Sequence, residues 1–285
     1  MAESISTYLW PGPTHFGIGA VGQVGQEARA LRANSVFILT DPGIISARLL
    51  EPVIDSLDAT RLPYTCYAKI PANPDIGSVD AATAATGKDA LSHCIEAYVS
   101  TKQNPALDPM ILYGIELIGG SLRLAVAQPS NRTARRDMML ASMIAGIVIS
   151  SKWLGACHSL AHQLSSFTAT QPGVAIALML PYQMAFSLPG AIERSGDIGA
   201  ALEGLGGQGG SETERGRREW AERAVTAVEE LIGDIGLPSR LHEVGLTEEM
   251  IPPMAENAYH LDGNWPTNRG LVGEADFKNL YQQAF

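Results

Sequence analysis

The chain has 285 residues, enough for one large core or two smaller ones, with 46% hydrophobic and 18% charged content typical of a globular protein. It carries 20 Lys plus Arg against 30 Asp plus Glu, and a net charge of −10 without a basic stripe argues against nucleic-acid binding. Its start has Glu3 and no basic residue, unlike a targeting sequence, and the longest apolar runs, Ile144–Ile149 and Val174–Leu180, are too short to span a bilayer. We therefore expect a cytoplasmic protein with no membrane partner.

The three cysteines, Cys66, Cys94 and Cys157, are isolated in the sequence and odd in number. They give neither a disulfide framework nor the spacing of a zinc knuckle. We interpret Cys94 and Cys157 as small core thiols, and the three cysteines fit a reduced compartment.

The first part of the chain, from about residue 5 to 80, alternates between strand-like and helix-like segments. Residues 35–40 form an apolar run typical of a buried strand, and the turn Asp41-Pro42-Gly43 follows it. Residues 44–57 have helical spacing, and residues 64–70 form a second strand-like run. This order predicts a Rossmann-like βαβ arrangement.

From about residue 86 to the end the pattern is helical. Thr86 is expected to cap a helix that has Asp89 at its third position. Apolar spacing predicts long helices over residues 110–126 and 134–149, and a later apolar stripe predicts a helix ending near residue 235. The fold class expected is therefore α/β plus all-α, with an α/β portion over residues 1–85 and an all-helical domain over residues 86–285.

Two pairs of metal-capable side chains each sit four residues apart, Asp89 with His93 and His158 with His162. Residues at i and i+4 share one face of an α-helix, so each pair can aim two ligands at one point. Taken singly, Asp89 reads as a helix-capping acid and His93 as a core histidine. The two pairs together favour a borderline divalent ion such as Fe(II) or Zn(II).

The run Gly17-Ile18-Gly19-Ala20-Val21-Gly22 matches the dinucleotide fingerprint G-x-G-x-x-G. Residues 10–15 before it make a poor buried strand, so the strand–turn–helix context of that motif is weak. We do not expect these glycines to hold a cofactor. Asp41 ends the first strand, where it is either the acceptor for a ribose 2′-OH or a turn residue before Pro42.

The stretches Thr86–Tyr98 and Leu154–His162 resemble the metal-binding helices of the iron-type (group III) alcohol dehydrogenases. The resemblance implies that Asp89, His93 and His158 are metal ligands. It also implies that His162 is the active-site histidine, which lies near cofactor and substrate and is not itself a ligand.

The same resemblance implies an NAD(P)-linked oxidoreductase that acts on small alcohols or aldehydes with Fe(II) or Zn(II), and it allows a homodimer. Asp41 and Asn73 are then the expected cofactor-binding residues, because Asp41 resembles the acid of NAD-preferring relatives and Asn73-Pro74 matches a dipeptide near their cofactor. Residues 1–85 would be a truncated dinucleotide-binding portion, and residues 86–285 the metal-binding, catalytic domain.

Parts of the family pattern are missing. The fourth ligand, a histidine in a Pro-His-Gly triplet, is replaced by Pro172, with Gly173 retained after it. Two family segments, Gly-Gly-Gly-Ser-x-x-Asp and Thr-Thr-x-Gly-Thr-Gly-Ser-Glu, are absent. Near residues 80–88, a stretch that resembles the one before the first segment is joined directly to a stretch that resembles the one after the second segment. We therefore expect weak metal retention and impaired activity with NAD.

Two alternatives from other classes stay open. The first is a non-catalytic remnant that serves as a helical or dimerising module. The second is a metal enzyme without a nicotinamide, because Asp89, His93 and His158 make the two-histidine, one-carboxylate set of non-haem Fe(II) oxygenases. Tight NADH binding would favour the dehydrogenase. Binding of a metal without NADH would favour the second alternative, and a chain that binds neither ligand would favour the non-catalytic remnant.

Overall fold

The computed structural model describes residues 14–68, 79–206, 213–270 and 273–285. These residues fall into two compact units, one within Pro11–Val79 and the other spanning Asp80–Phe285. The first is an α/β unit and the second is helical, so the predicted fold class is confirmed.

The described residues of the N-terminal unit include two parallel strands, β1 (Val36–Leu39) and β2 (Tyr64–Tyr67). Val36 pairs with Tyr64 and Leu39 with Tyr67, so the apolar runs predicted as strands do form the sheet. In the described range 14–68, three α-helices accompany the strands: α1 (Val24–Ala30), α2 (Pro42–Ser46) and α3 (Glu51–Ala59). Helices between parallel strands make the crossover that defines a βαβ unit.

The single helix expected over residues 44–57 is wrong, because the structure has two helices there, α2 and α3. Arg48 adopts a left-handed backbone with φ of 55° and ends the first helix. Pro52 then lies in the first turn of α3, where its missing N–H is tolerated. Apolar spacing that continued across the break concealed it.

The described part of the C-terminal unit consists of α-helices and the segments that connect them. They are α4 (Val79–Val99), α5 (Asp108–Ala127), α6 (Arg132–Lys152), α7 (Ala156–Thr168), α8 (Pro172–Ser187), α9 (Ile192–Leu202), α10 (Glu214–Asp234), α11 (Ile251–His260) and α12 (Glu274–Ala284). Successive helices pack as pairs, α5 with α6, α7 with α8, α9 with α10 and α11 with α12. The predicted helices over 110–126 and 134–149 lie within α5 and α6.

The helix that carries Asp89 starts earlier than the sequence indicates, so the capping role expected of Thr86 is wrong. α4 begins at Val79, and Thr86 lies two turns inside it. The alanine-rich residues before Thr86 are strong helix formers, and they extend the helix upstream of the threonine. Gly87 lets α4 approach α5 closely, since a Cβ there would lie 2.4 Å from Leu122 Cδ1.

One apolar stripe shows how the core of this unit is made. On α5, Ile111, Ile115, Ile118 and Leu122 follow helical spacing and are all fully buried. Burial of each such side chain contributes about 1.5–3 kcal/mol. The core therefore supplies a rigid frame for the polar residues of α4 and α7.

Among the residues that the structure describes, two helices, α5 and Pro172–Gly190, have the length and mean hydropathy, 1.5 and 1.2, of a helix able to cross a membrane. In this fold both bury apolar faces in the helical core, and α8 also buries Gln183 with hydrogen bonds to Ser187 and Asn268. The expectation of a cytoplasmic protein without a membrane partner stays a prediction.

Candidate metal centre

Helix α4 places three polar residues on one face, Asp89, His93 and Glu96. Their spacing of four and then three residues follows successive turns. His93 Nε2 lies 3.7 Å from Asp89 Oδ1. Glu96 is buried with its side chain fully shielded, one turn deeper in the unit.

His158 approaches the same point from the first turn of α7. Its Nε2 lies 3.7 Å from Asp89 Oδ1, and its ring stacks on that of His93 with centroids 4.8 Å apart. One donor atom from each of Asp89, His93 and His158 lies within 4.8 Å of the other two. The structure therefore brings together the three residues expected to be metal ligands.

The donor set fits a divalent ion. Two ligands about 2.1 Å from a tetrahedral ion are roughly 3.4 Å apart, close to the 3.7 Å separations from the Asp89 oxygen. His158 Nε2 is buried and has no hydrogen-bond partner among the described residues. A buried nitrogen without a partner is costly unless a ligand satisfies it.

The charges of the group are strongly coupled. Burial lowers the pKa of His158, but the neighbouring carboxylates of Glu96 and Asp89 outweigh burial and raise it to about 9. Burial raises the pKa of Asp89, but His158 and His93 outweigh it, so the net pKa is lowered. For His93 burial dominates and lowers the pKa. An ion that binds here must displace a proton from His158 at neutral pH.

His162 lies beside this group and outside it. Its ring meets that of His158 edge-on at 5.9 Å, and its Nδ1 donates to Asp262 Oδ2 at 2.7 Å. Asp262 also accepts from Ser159 Oγ at 2.7 Å and from the Asn264 N–H at 2.9 Å. Burial raises the pKa of Asp262, but these hydrogen bonds prevail and hold the pKa well below its usual range. His162 is thus oriented by an ionised carboxylate, with its ring half-exposed.

The predicted position of the lost fourth ligand is the first residue of α8, Pro172, which has no donor atom. The next residue, Gly173, touches α4, since a Cβ there would lie 2.3 Å from the carbonyl oxygen of Ala85. Ala85 precedes Asp89 by one helical turn. The start of α8 therefore lies close to the donor group without adding a ligand to it.

Three residues near the centre were not identified from the sequence: Glu96, Asp262 and Lys88. Glu96 had a usable signal, because it continues the helical face of Asp89 and His93. Asp262 had none, because it reaches His162 across 100 residues of chain. Lys88 is fully buried, its Nζ has no hydrogen-bond partner within the described ranges, and desolvation lowers its pKa to about 7.

The residues expected to bind a dinucleotide do not form a group like that of the three candidate metal ligands among the described residues. Asp41 follows β1, and its Oδ1 accepts from the N–H groups of Gly43 at 2.7 Å and Ile44 at 3.1 Å. It therefore caps α2, which is the turn interpretation of this residue. Asn73 lies outside the described residues. Gly17 and Gly19 have φ of 146° and 86° in a turn before α1, and residues 14–16 ahead of them form no strand.

Comparison with known proteins assigns the family. The model of the iron-containing alcohol dehydrogenases matches residues 11–95, and the model of the C-terminal part of the Fe-containing alcohol dehydrogenase family matches residues 83–285. The chain belongs to the iron-containing alcohol dehydrogenase family. The metal-centre helices α4 and α7 both lie within the matched regions.

Several relatives are similar over much of this chain. It is 38% identical to the 1,3-propanediol dehydrogenase of Klebsiella pneumoniae over 74% of this chain and 52% of that one. It is 38% identical to the probable alcohol dehydrogenase EutG of Escherichia coli K12 over 61% of this chain and 43% of that one. The chain thus spans about half the length of the curated relatives it matches.

The fold has solved counterparts. A 1,3-propanediol oxidoreductase structure superposes with a TM-score of 0.90 at 24% identity, over 99% of this chain and 100% of that one. An alcohol dehydrogenase from Oenococcus oeni superposes with a TM-score of 0.88, also at 24% identity, over 99% and 100% of the two chains. At this identity the superpositions establish the fold.

Proposed function

We propose that this chain forms the metal-binding, catalytic part of an NAD(P)-linked oxidoreductase of small alcohols or aldehydes. The observation that carries the proposal is the unpartnered Nε2 of His158, buried 3.7 Å from Asp89 Oδ1 beside the stacked ring of His93. The substrate class is supported by relatives named 1,3-propanediol dehydrogenase and NAD-dependent methanol dehydrogenase.

Asp89, His93 and His158 would hold Fe(II) or Zn(II), both of which accept imidazole and carboxylate ligands. When bound, the ion supplies Lewis-acid polarisation of the alcohol or carbonyl oxygen. Asp89 would lower the net positive charge of the loaded centre, and the buried ring of His158 with the partly buried ring of His93 would exclude water from one side of it. The ligand set does not distinguish iron from zinc.

His162 is suited to hold a proton during the reaction. Because its Nδ1 donates to Asp262, the neutral ring has its lone pair on Nε2, which can accept a proton from substrate or water. Asp262 keeps this tautomer and stabilises the protonated ring. The exposure of His162, 49% of the side chain, gives it access to a substrate.

We also propose that turnover with NAD is feeble. Pro172 supplies no fourth ligand, and the glycine-rich segments that hold a pyrophosphate in the family have no counterpart in the sequence. A loss of about 4 kcal/mol from poorly compensated phosphate charge would weaken dinucleotide binding roughly a thousandfold. Asp41 and Asn73 remain the proposed contacts to the adenosine half of NAD.

The test is a titration of NADH by fluorescence together with alcohol oxidation in added Fe(II) or Zn(II). We expect metal binding with weak NADH affinity and slow turnover. Metal binding with no NADH response would favour the metal enzyme without a nicotinamide, which the compact two-histidine, one-carboxylate group supports. Failure to bind either ligand would contradict the dehydrogenase and leave the non-catalytic helical module.

A further inference from the structure

Glu96 connects the two helices that carry the candidate ligands. Its side chain is fully buried, and its Oε2 accepts a hydrogen bond from His158 Nδ1. Its Oε1 accepts from the backbone N–H of Cys157 at 2.8 Å and, more weakly, from that of His158 at 3.4 Å. One carboxylate therefore contacts both the ring of a ligand and the backbone that carries it.

The N-terminus of α7 depends on this carboxylate. The N-cap residue is Gly155, which has no side chain to accept from the first N–H groups of the helix. A Cβ at Gly155 would lie 2.8 Å from Glu96 Oε1, so the glycine leaves the space that the carboxylate occupies. Glu96 thus caps α7 from a different helix.

We propose that Glu96 is a positioning residue that holds His158 in the tautomer with the proton on Nδ1, so that Nε2 is free to ligate the ion. This inference rests on the proposed metal centre. An ionised carboxylate only accepts, so the ring must donate from Nδ1, and a neutral imidazole then has its lone pair on Nε2. That nitrogen is the buried, unpartnered atom 3.7 Å from Asp89 Oδ1.

The substitution Glu96→Gln separates the two roles, because an amide has one acceptor and one donor group. If the amide oxygen faces the N–H groups of α7, the amide NH₂ faces His158 Nδ1. Nδ1 must then accept, the proton moves to Nε2, and the ligand is lost while the cap is kept. If the amide is reversed, its NH₂ opposes the backbone N–H of Cys157 and the cap is lost instead. Glutamine cannot serve both partners.

The experiment measures Zn(II) and Co(II) affinity by chelator competition in the full chain and in E96Q, H158A and the E96Q/H158A double variant. We expect E96Q to weaken both ions about 10–100-fold, as loss of a carboxylate behind a ligating histidine does elsewhere. We expect the double variant to match H158A alone, because Glu96 acts through His158. The control is N131A, which removes the Asn131 cap of α6 and should leave metal affinity unchanged.

The outcomes distinguish a failure of the role of Glu96 from a failure of the proposed metal centre. Wild-type affinity in E96Q, with H158A weakened, would overturn the role of Glu96 alone. Additive losses in the double variant would also overturn it. Wild-type affinity in H158A would overturn the metal centre and this inference with it. Should E96Q fold poorly, ¹⁵N NMR of the zinc-loaded wild-type chain decides: a protonated Nδ1 on His158 is expected, and a metal-bound Nδ1 would contradict the proposal.

Discussion

The two units of the chain differ in how completely they bury their apolar residues. In the N-terminal unit the strand residues Phe37 and Tyr67 are 63% and 47% exposed. In the C-terminal unit, Leu91 and Ile95 on the metal-centre helix are fully or almost fully buried. The candidate metal centre therefore lies in a unit that has its own core, whereas the unit expected to contact a dinucleotide has a small core and an exposed sheet.

This difference suggests that the two parts of the proposed function are separable. A small α/β unit buries a low fraction of its surface and is marginally stable by itself. We expect the helical unit, which has its own core, to keep Asp89, His93 and His158 together without it. Metal binding should then persist under conditions that disrupt the N-terminal unit.

The largest effect expected is on the integrity of the N-terminal unit. Limited proteolysis should remove the first 80 or so residues, because local opening is easiest where apolar burial is low. A resistant helical fragment that begins near residue 80 should remain, as mass spectrometry would show. Uniform resistance with one sharp unfolding transition would contradict the contrast between the units.

The second prediction concerns two lysines of the helical unit, both fully buried. Lys88 Nζ has no partner among the described residues, whereas Lys152 Nζ pairs with Asp108 Oδ1 at 2.6 Å. Because the pKa of Lys88 is lowered to about 7, the unfolded chain binds more protons than the folded chain between pH 7 and 10.5. The cost of burial, about 5 kcal/mol, is therefore fully present below pH 7 and fades as pH rises to 10.5.

We expect Lys88→Met to raise the free energy of unfolding by several kcal/mol at pH 6, and by much less at pH 10. Lys152→Met is the matched control and should destabilise the protein, because it removes one partner of a buried ion pair. Urea unfolding of both variants at the two pH values is the measurement. A destabilised Lys88→Met at pH 6 would show that the ammonium group has a favourable partner.

Only part of the fold and of the candidate site could be predicted from the sequence. The strands at residues 36–39 and 64–67 were predicted from short runs of β-branched and aromatic residues. The burial expected of the first run is wrong, because Phe37 is 63% exposed. The proximity of Asp89, His93 and His158 was predicted because helical spacing and family motifs mark them. The break at Arg48 was missed because a left-handed arginine leaves no pattern, and Thr86 was misplaced because alanine propensity extended α4. Contacts such as Glu96 with His158 are tertiary and have no local signature.

The third prediction is a pH dependence of metal binding. Because Glu96 and Asp89 raise the pKa of His158 to about 9, an ion must displace its proton at neutral pH. Zn(II) affinity should therefore rise close to tenfold per pH unit from 7 to about 8.5 and level off beyond 9. Calorimetry in buffers of different ionisation enthalpy should show the released proton. A flat profile over this range would contradict the protonated state of His158.

The smallest effect expected is a gain from restoring the missing ligand. Pro172→His places an imidazole at the start of α8, which abuts α4 one turn before Asp89. A fourth ligand should raise Zn(II) affinity about tenfold or more, with a lower dissociation rate. Gln171→His is the matched control, since it adds the same group one residue away. An equal gain in both variants would mean that the alignment of Pro172 with the family ligand is wrong.

The central claim is that Asp89, His93 and His158 hold one divalent ion in the helical unit. X-ray absorption at the zinc edge, on the full chain loaded with one equivalent of Zn(II), tests it most directly. The account predicts two imidazole ligands and oxygen donors at about 2.0–2.2 Å, without sulfur. Sulfur scattering at about 2.3 Å, which would indicate a cysteine ligand, or failure of the chain to retain zinc, would contradict the account.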